Sequence, residues 1–349
     1  MTDHQESIVL HKIGLAVLKL AFPAALFGYL LWSVPTEDYR AFWSQSKRWE
    51  LLLAAQLLAL VAAIISFMRW RLLVRAFAIP FTVREALRLG FLGYMLNFIS
   101  FGSVGGDVFK AILVARDRPE MRPEAVASVL LDRAIGLMGL VMLAWISLVL
   151  FAGDEQSPLL VGIKRGAAVL SVLSILGLAT AVFAGQWFDE IIQWISGLPV
   201  AGETLARMAR AVRQLRHAPR ILLLLAGMAI FVHTLLAVTI YLISCGIYSE
   251  HPSLREHMMV VPPGMAAGAL PLAPGGLGVQ EGALAGLFRQ LPDLPLLFSA
   301  ILVATVYRLI TITIAGIGVC FYMASHGREF KLMREASTEP RALAETNSH

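Results

Sequence analysis

Two glycine-rich stretches decide how this chain is read: FGSVGGDVFKA at 101–111 and PLAPGGLGVQEGAL at 271–284. Each lies within a long apolar run, about 86–115 and about 257–290, and each breaks that run with glycine or proline. Such residues interrupt helices. Peptide groups released from a helix cannot face lipid tails, so broken backbone inside a membrane must be buried in protein or line a wet cavity. The two stretches therefore predict a pair of re-entrant hairpins.

Around them lie six uninterrupted apolar runs of span length, at about 13–34, 51–68, 125–151, 163–184, 220–246 and 296–321. The composition agrees: 58% of the 349 residues are hydrophobic, only 15% are charged, and the mean hydropathy is +0.71. A soluble domain carries roughly 25% charged residues. The first run is too long for a signal-peptide core, and Pro35, Thr36, Glu37 and Asp38 follow it instead of a small-residue cleavage site, so it reads as an uncleaved helix. The predicted fold is an all-α polytopic membrane protein of about six full spans and two hairpins. The predicted divisions are a cytoplasmic N-terminus at 1–12, a transmembrane domain at 13–325 and a polar cytoplasmic tail at 326–349.

The basic residues test this layout. With both hairpins returning to the face they left and the N-terminus inside, nineteen Lys and Arg fall in inside loops and six in outside loops. If the first hairpin crossed fully, the cluster Arg207, Arg210, Arg213, Arg216 and Arg220 would lie outside, against the positive-inside rule. The re-entrant layout gives two halves of opposite orientation, each reading span, hairpin, span. Asp107 precedes Arg133 by 26 residues and Glu281 precedes Arg308 by 27. Inverted repeats with broken helices near the midplane are a transporter architecture.

The net charge of +5 sits in short loops between apolar runs, a pattern suited to anionic lipid and not to nucleic acid. The segment 199–217 places Leu205, Met208, Ala209, Val212 and Leu215 on one helical face and its arginines mostly elsewhere. It reads either as an in-plane helix on the cytoplasmic surface or as an ordinary basic loop helix. Trp32, Trp43, Trp49 and Trp187 read as interface anchors. Cys245 and Cys320 fall near opposite faces, and no Cys/His cluster suggests a metal or other cofactor.

An intramembrane charge costs at least ~2.5 kcal/mol even on lenient scales, so such residues are candidates for function. Arg133 and Arg308 lie inside their spans, and Asp107 and Glu281 follow the glycine turns. The acids and arginines either neutralise each other and hold the halves together, or the arginines bind a lipid phosphate that the acids tune. Asp132 serves the same network or faces a wet rim. Gly105-Gly106 and Gly275-Gly276 allow tight turns and bring backbone amides near a ligand, with a helix N-terminus behind each favouring an anion. His233 is a core histidine or a proton relay. The chain has no G-x-S-x-G, HExxH, Walker or Rossmann pattern, so no enzyme constellation emerges.

FGSVGGDVFKA (101–111), SVLLDRAIGL (128–137), PLAPGGLGVQEGAL (271–284) and Tyr307-Arg308 together resemble the flippase-like membrane domain family, also called the lysylphosphatidylglycerol synthase transmembrane region. The likeness spans roughly 10–325. It implies Gly105, Gly106, Asp107, Arg133, Gly275, Gly276, Glu281 and Arg308 as site positions. It also implies an integral protein of a bacterial inner membrane that handles anionic or polyprenyl-linked lipids. The soluble aminoacyl-transferase of fused members is missing here. Three functions remain: a lipid translocator, a membrane subunit presenting lipid to a partner lipid-biosynthesis enzyme, or a membrane-embedded transferase.

Overall fold

The computed structural model describes residues 28, 32, 36–99, 105–152, 157–183, 190, 193, 194, 196, 202–270 and 278–324. Among them the regular elements are all helical: α1 (Thr36–Ser44), α2 (Trp49–Ala76), α3 (Val83–Ile99), α4 (Gly105–Asp117), α5 (Arg122–Phe151), α6 (Pro158–Phe183), α7 (Gly202–Gln214), α8 (Pro219–Ile247), α9 (Leu254–Gly268), α10 (Val279–Phe288) and α11 (Ala300–Ala324). Short 3₁₀ turns precede α5 and α8. Five helices are long and apolar enough to cross a membrane: α2, α5 with the turn before it, α6, α8 and α11. They match the predicted runs beginning at 51, 125, 163, 220 and 296, with α2 reaching eight residues further, to Ala76. The first predicted span lies almost wholly outside the described residues, and the C-terminal tail does so entirely.

Leucines and valines cover the outside of these helices. Leu53, Leu57, Leu173, Leu176, Leu223, Phe231 and Leu309 are all exposed. Apolar surface on this scale is stable against lipid and costly against water, so the chain is an integral membrane protein.

Each predicted hairpin is a pair of short helices whose outer ends come together. At the base of the first pair, Arg118, just past α4, bonds to the Pro80 carbonyl and to Glu85 on α3. At the base of the second, the His257 ring of α9 lies 5.1 Å from the Phe288 ring of α10. Both first arms open on the same device. The Thr82 hydroxyl accepts from the Glu85 N–H while Glu85 accepts from the Thr82 N–H at 2.7 Å, and Ser253 and Glu256 do the same at the start of α9. Reciprocal capping of this kind satisfies donors that a helix start leaves open.

The packing of the halves corresponds. α2 touches α3 and α5, and α8 touches α9 and α11; α4 lies on α5, and α10 on α11. Across the halves, α3 packs on α11 as α9 packs on α5, while α2 and α8 pack side by side. There are two cores. One gathers Trp70, Leu92, Phe109 and Ile135 around the first pair, and the other gathers Ile240, Val260, Phe288 and Val303 around the second. The first half of α2 and the last half of α8 share one core, and the reverse halves share the other, so the two helices run antiparallel.

α7 carries its apolar face inward. Ala206 and Leu215 are buried, and Met208 and Val212 pack on the first-pair core. Arg207 reaches the Glu120 carbonyl and Glu124 at the foot of α5.

Candidate functional site

The predicted pairings are present. Arg133 on α5 donates through Nη1 to Asp107 Oδ2 at 2.6 Å, and Arg308 on α11 donates through Nε to Glu281 Oε1 at 2.8 Å. Each acid stands in the first turn of the helix after its glycine-rich turn. Both positions suit a carboxylate, because the free N–H groups there carry partial positive charge. Glu281 Oε2 accepts from the Gly278 N–H at 2.8 Å, and Gly278 has a φ of 81°, open to glycine without strain. Gly106 begins α4 against α3: a side chain there would run into the Gly93 carbonyl, and its N–H donates to Asn97 Oδ1 at 2.9 Å. Gly275 and Gly276 lie outside the described residues.

The surroundings of the two pairs differ. Arg308 and Glu281 are closed in, with side chains 5% and 2% exposed. Asp107 and Arg133 border a polar cavity of about 280 Å³. Its wall draws on α2 (Arg69, Trp70), α3 (Tyr94, Asn97), α4 (Asp107, Lys110), α5 (Asp132, Arg133, Gly136) and α8 (His233), together with Ala269 at the inner end of α9. The first helix pair thus supplies most of the hairpin side of this cavity, and of the second pair Ala269, just past α9, reaches it.

Two basic residues of the cavity were assigned to loops on sequence grounds. Arg69 follows the predicted run 51–68, but α2 continues past it, and its side chain is buried on α5. Its Nε donates to Asp132 Oδ1 at 2.9 Å and its Nη2 to the Asp132 carbonyl at 3.3 Å. Asp132 therefore serves a separate pair from its neighbour Arg133. Gly136 makes room for that guanidinium, since a Cβ there would lie 3.1 Å from Arg69 Nη2. Lys110, three residues after Asp107, places Nζ 2.7 Å from Asp107 Oδ1 and 5.1 Å from the Trp70 ring centre. The signal for Lys110 was its i,i+3 spacing from the acid; none marked Arg69. His233 places Nε2 3.1 Å from the Gly136 carbonyl, joining α8 to α5 at the cavity wall.

One apolar groove adjoins the cavity, and a second adjoins the first. The first, of about 440 Å³, runs between α5 and α6 and shares Leu137 with the cavity. The other, of about 620 Å³, shares Val141 and Leu170 with the first groove and continues to Pro263 on α9 and Gly286 on α10. A charged pocket thus connects to hydrocarbon-lined surface, a combination that suits an amphiphile.

Comparison with known proteins gives one family match, described as Lysylphosphatidylglycerol synthase TM region, over residues 13–318. No curated protein and no solved structure matches the chain.

Proposed function

The chain belongs to the Lysylphosphatidylglycerol synthase TM region family, and from that premise we propose that it moves a membrane lipid between leaflets. The observation that carries this reading is the charged cavity set among membrane-spanning helices and joined to apolar grooves. A headgroup sits among Arg133, Lys110 and Asp107 while the chains stay in the grooves and the bilayer. Low dielectric strengthens every contact the headgroup makes there, and the planar arginine fork grips phosphate oxygens two at a time.

Architecture supports the same reading. The paired outer ends of α3–α4 and of α9–α10 support re-entrant hairpins that enter and leave on one face each, and the corresponding contacts of the halves support an inverted repeat. With Arg69 and Lys110 taken out of the loops, and Arg289 just past α10 counted outside, seventeen basic residues fall inside against seven outside. That asymmetry supports cytoplasmic termini in a bacterial inner membrane.

The test is leaflet exchange of fluorescent phospholipid in sealed liposomes, read by impermeant quenching. Protein-containing vesicles should exchange lipid well above protein-free ones, and Arg133→Ala should lower the rate at least tenfold, on the order of one lost charge-assisted hydrogen bond. Exchange no faster than in empty vesicles refutes translocation and leaves presentation of lipid to a partner enzyme as the reading.

A further inference from the structure

We infer that the cavity reads hydroxyl groups on its ligand, those of a glycerol or sugar headgroup, and that His233 and Trp70 are the residues that read them. The inference rests on the proposed translocation only for the cavity's being a lipid site; it adds which part of the lipid the site recognises. His233 places Nε2 3.1 Å from the Gly136 carbonyl. A carbonyl only accepts, so Nε2 carries the hydrogen, and the neutral ring keeps Nδ1 as an acceptor. That Nδ1 is buried and has no hydrogen-bond partner among the described residues. Trp70 is 1% exposed, and its Nε1–H, which only donates, is likewise buried without a hydrogen-bond partner among them.

Both rings line the polar cavity, His233 from α8 and Trp70 from α2. Buried polar atoms in folded proteins nearly always have a partner, so two exceptions on one wall need a reason. The torsion that turns such a ring about its stem is broad, and a slight turn brings either nitrogen to a group in the cavity. Ser66 and Asn97 add uncharged polar side chains to the same wall. Asn97 Oδ1 accepts from the Gly106 N–H, and its amide hydrogens are donors.

The two ring nitrogens require opposite partners. A phosphodiester offers acceptors alone, which suits the indole N–H and leaves the imidazole nitrogen unmet. An ammonium offers donors alone and adds a cation beside Arg69, whose Nη2 would lie 3.1 Å from a Cβ on the same Gly136 that His233 holds. A hydroxyl donates, accepts and carries no charge. One hydroxyl serves either ring, and a diol serves both. At about 280 Å³ the cavity is near the small end of ligand pockets, so it suits a compact polar group whose chains lie outside, along the adjoining groove.

The experiment measures lipid retention by the full-length chain in detergent, read by native mass spectrometry. It is run at about pH 8, above the ordinary histidine range of ~6.5. Two pairs of probes are matched in charge and differ in hydroxyls: phosphatidylglycerol against phosphatidylpropanol, and monoglucosyl-diacylglycerol against its O-methylated form. The hydroxyl-bearing member of one pair should be retained about fivefold or more over its partner, on the order of one hydrogen bond to a buried group. Which pair shows the preference tells glycerol from sugar. No preference in either pair overturns the inference and leaves the ring nitrogens to water. His233→Gln keeps a donor for the Gly136 carbonyl and loses the ring acceptor, so the preference should fall to within about twofold. His233→Asn sets an amide oxygen near the place of Nδ1 and gives up the Gly136 bond, so the preference should survive while the melting temperature drops. The opposite order would make His233 a tie between helices and overturn its role. Trp70→Phe keeps the packing, removes the N–H and should lower the preference by about half or more. A preference unchanged in both His233→Gln and Trp70→Phe overturns the inference. Retention is read without movement: preference without leaflet exchange refutes translocation and upholds hydroxyl recognition, while exchange without preference does the reverse.

Discussion

The Asp107–Arg133 and Glu281–Arg308 pairs are built alike and placed in unlike surroundings. Both join the first turn of a short helix to the interior of the next long one, at 2.6 and 2.8 Å. One borders a polar cavity, shares its carboxylate with Lys110 and has an arginine side chain 28% exposed. The other is closed in, with side chains 5% and 2% exposed. Under the proposed function the same motif is a tie between helices in one half and part of a headgroup site in the other, and the difference lies in access to the cavity.

If this contrast holds, cutting the closed pair costs the most stability. Arg308→Ala leaves Glu281 charged and buried and should destabilise the protein by about 3–5 kcal/mol. Arg133→Ala leaves Asp107 with Lys110 at 2.7 Å, so its loss should be nearer ~1 kcal/mol. Thermal melts of both in one detergent decide the matter, and a larger drop for Arg133→Ala would reverse the assignment of roles.

A smaller effect separates the backbone of the two helix pairs. Gly106→Ala drives a methyl group into the Gly93 carbonyl on α3, whereas a Cβ at Gly282 on α10 meets nothing within 4 Å. The first change should cost about 1–3 kcal/mol by forcing α4 off α3. The second should be neutral or stabilising by up to ~1 kcal/mol, because alanine is the better helix former. Equal melting temperatures would mean that α3 and α4 are not closely packed.

The smallest difference concerns the two capping boxes. Glu85→Gln and Glu256→Gln should each cost about 0.5–1 kcal/mol, since the amide still accepts but carries no charge at the helix start. Burial alone would raise the Glu85 carboxyl, but hydrogen bonds from the Thr82 N–H and hydroxyl, and Arg118, outweigh it and hold it below its ordinary value. A depressed carboxyl contributes stability above its unfolded value of about 4.5 and loses it as the pH falls through the lower folded value. The Glu85→Gln difference should therefore shrink in melts taken progressively below pH 4.5. A difference constant with pH would show that the Glu85 charge contributes nothing.

The sequence by itself determined the spans and the two broken runs. Membrane insertion sums apolar transfer over about twenty consecutive residues, and such a sum is readable without neighbours. It also suggested one acid–arginine pair per half, from the 26- and 27-residue spacings, and the structure shows both. Only the tertiary structure decided that Arg69 lies inside a helix and meets Asp132, 63 residues away. An arginine at the edge of an apolar run either snorkels to the interface or turns inward to a partner, and only the packing of α2 on α5 selects the second. The same packing left one ion pair bordering a cavity and closed the other in, because local spacing sets a pair while the helices around it set its access to solvent.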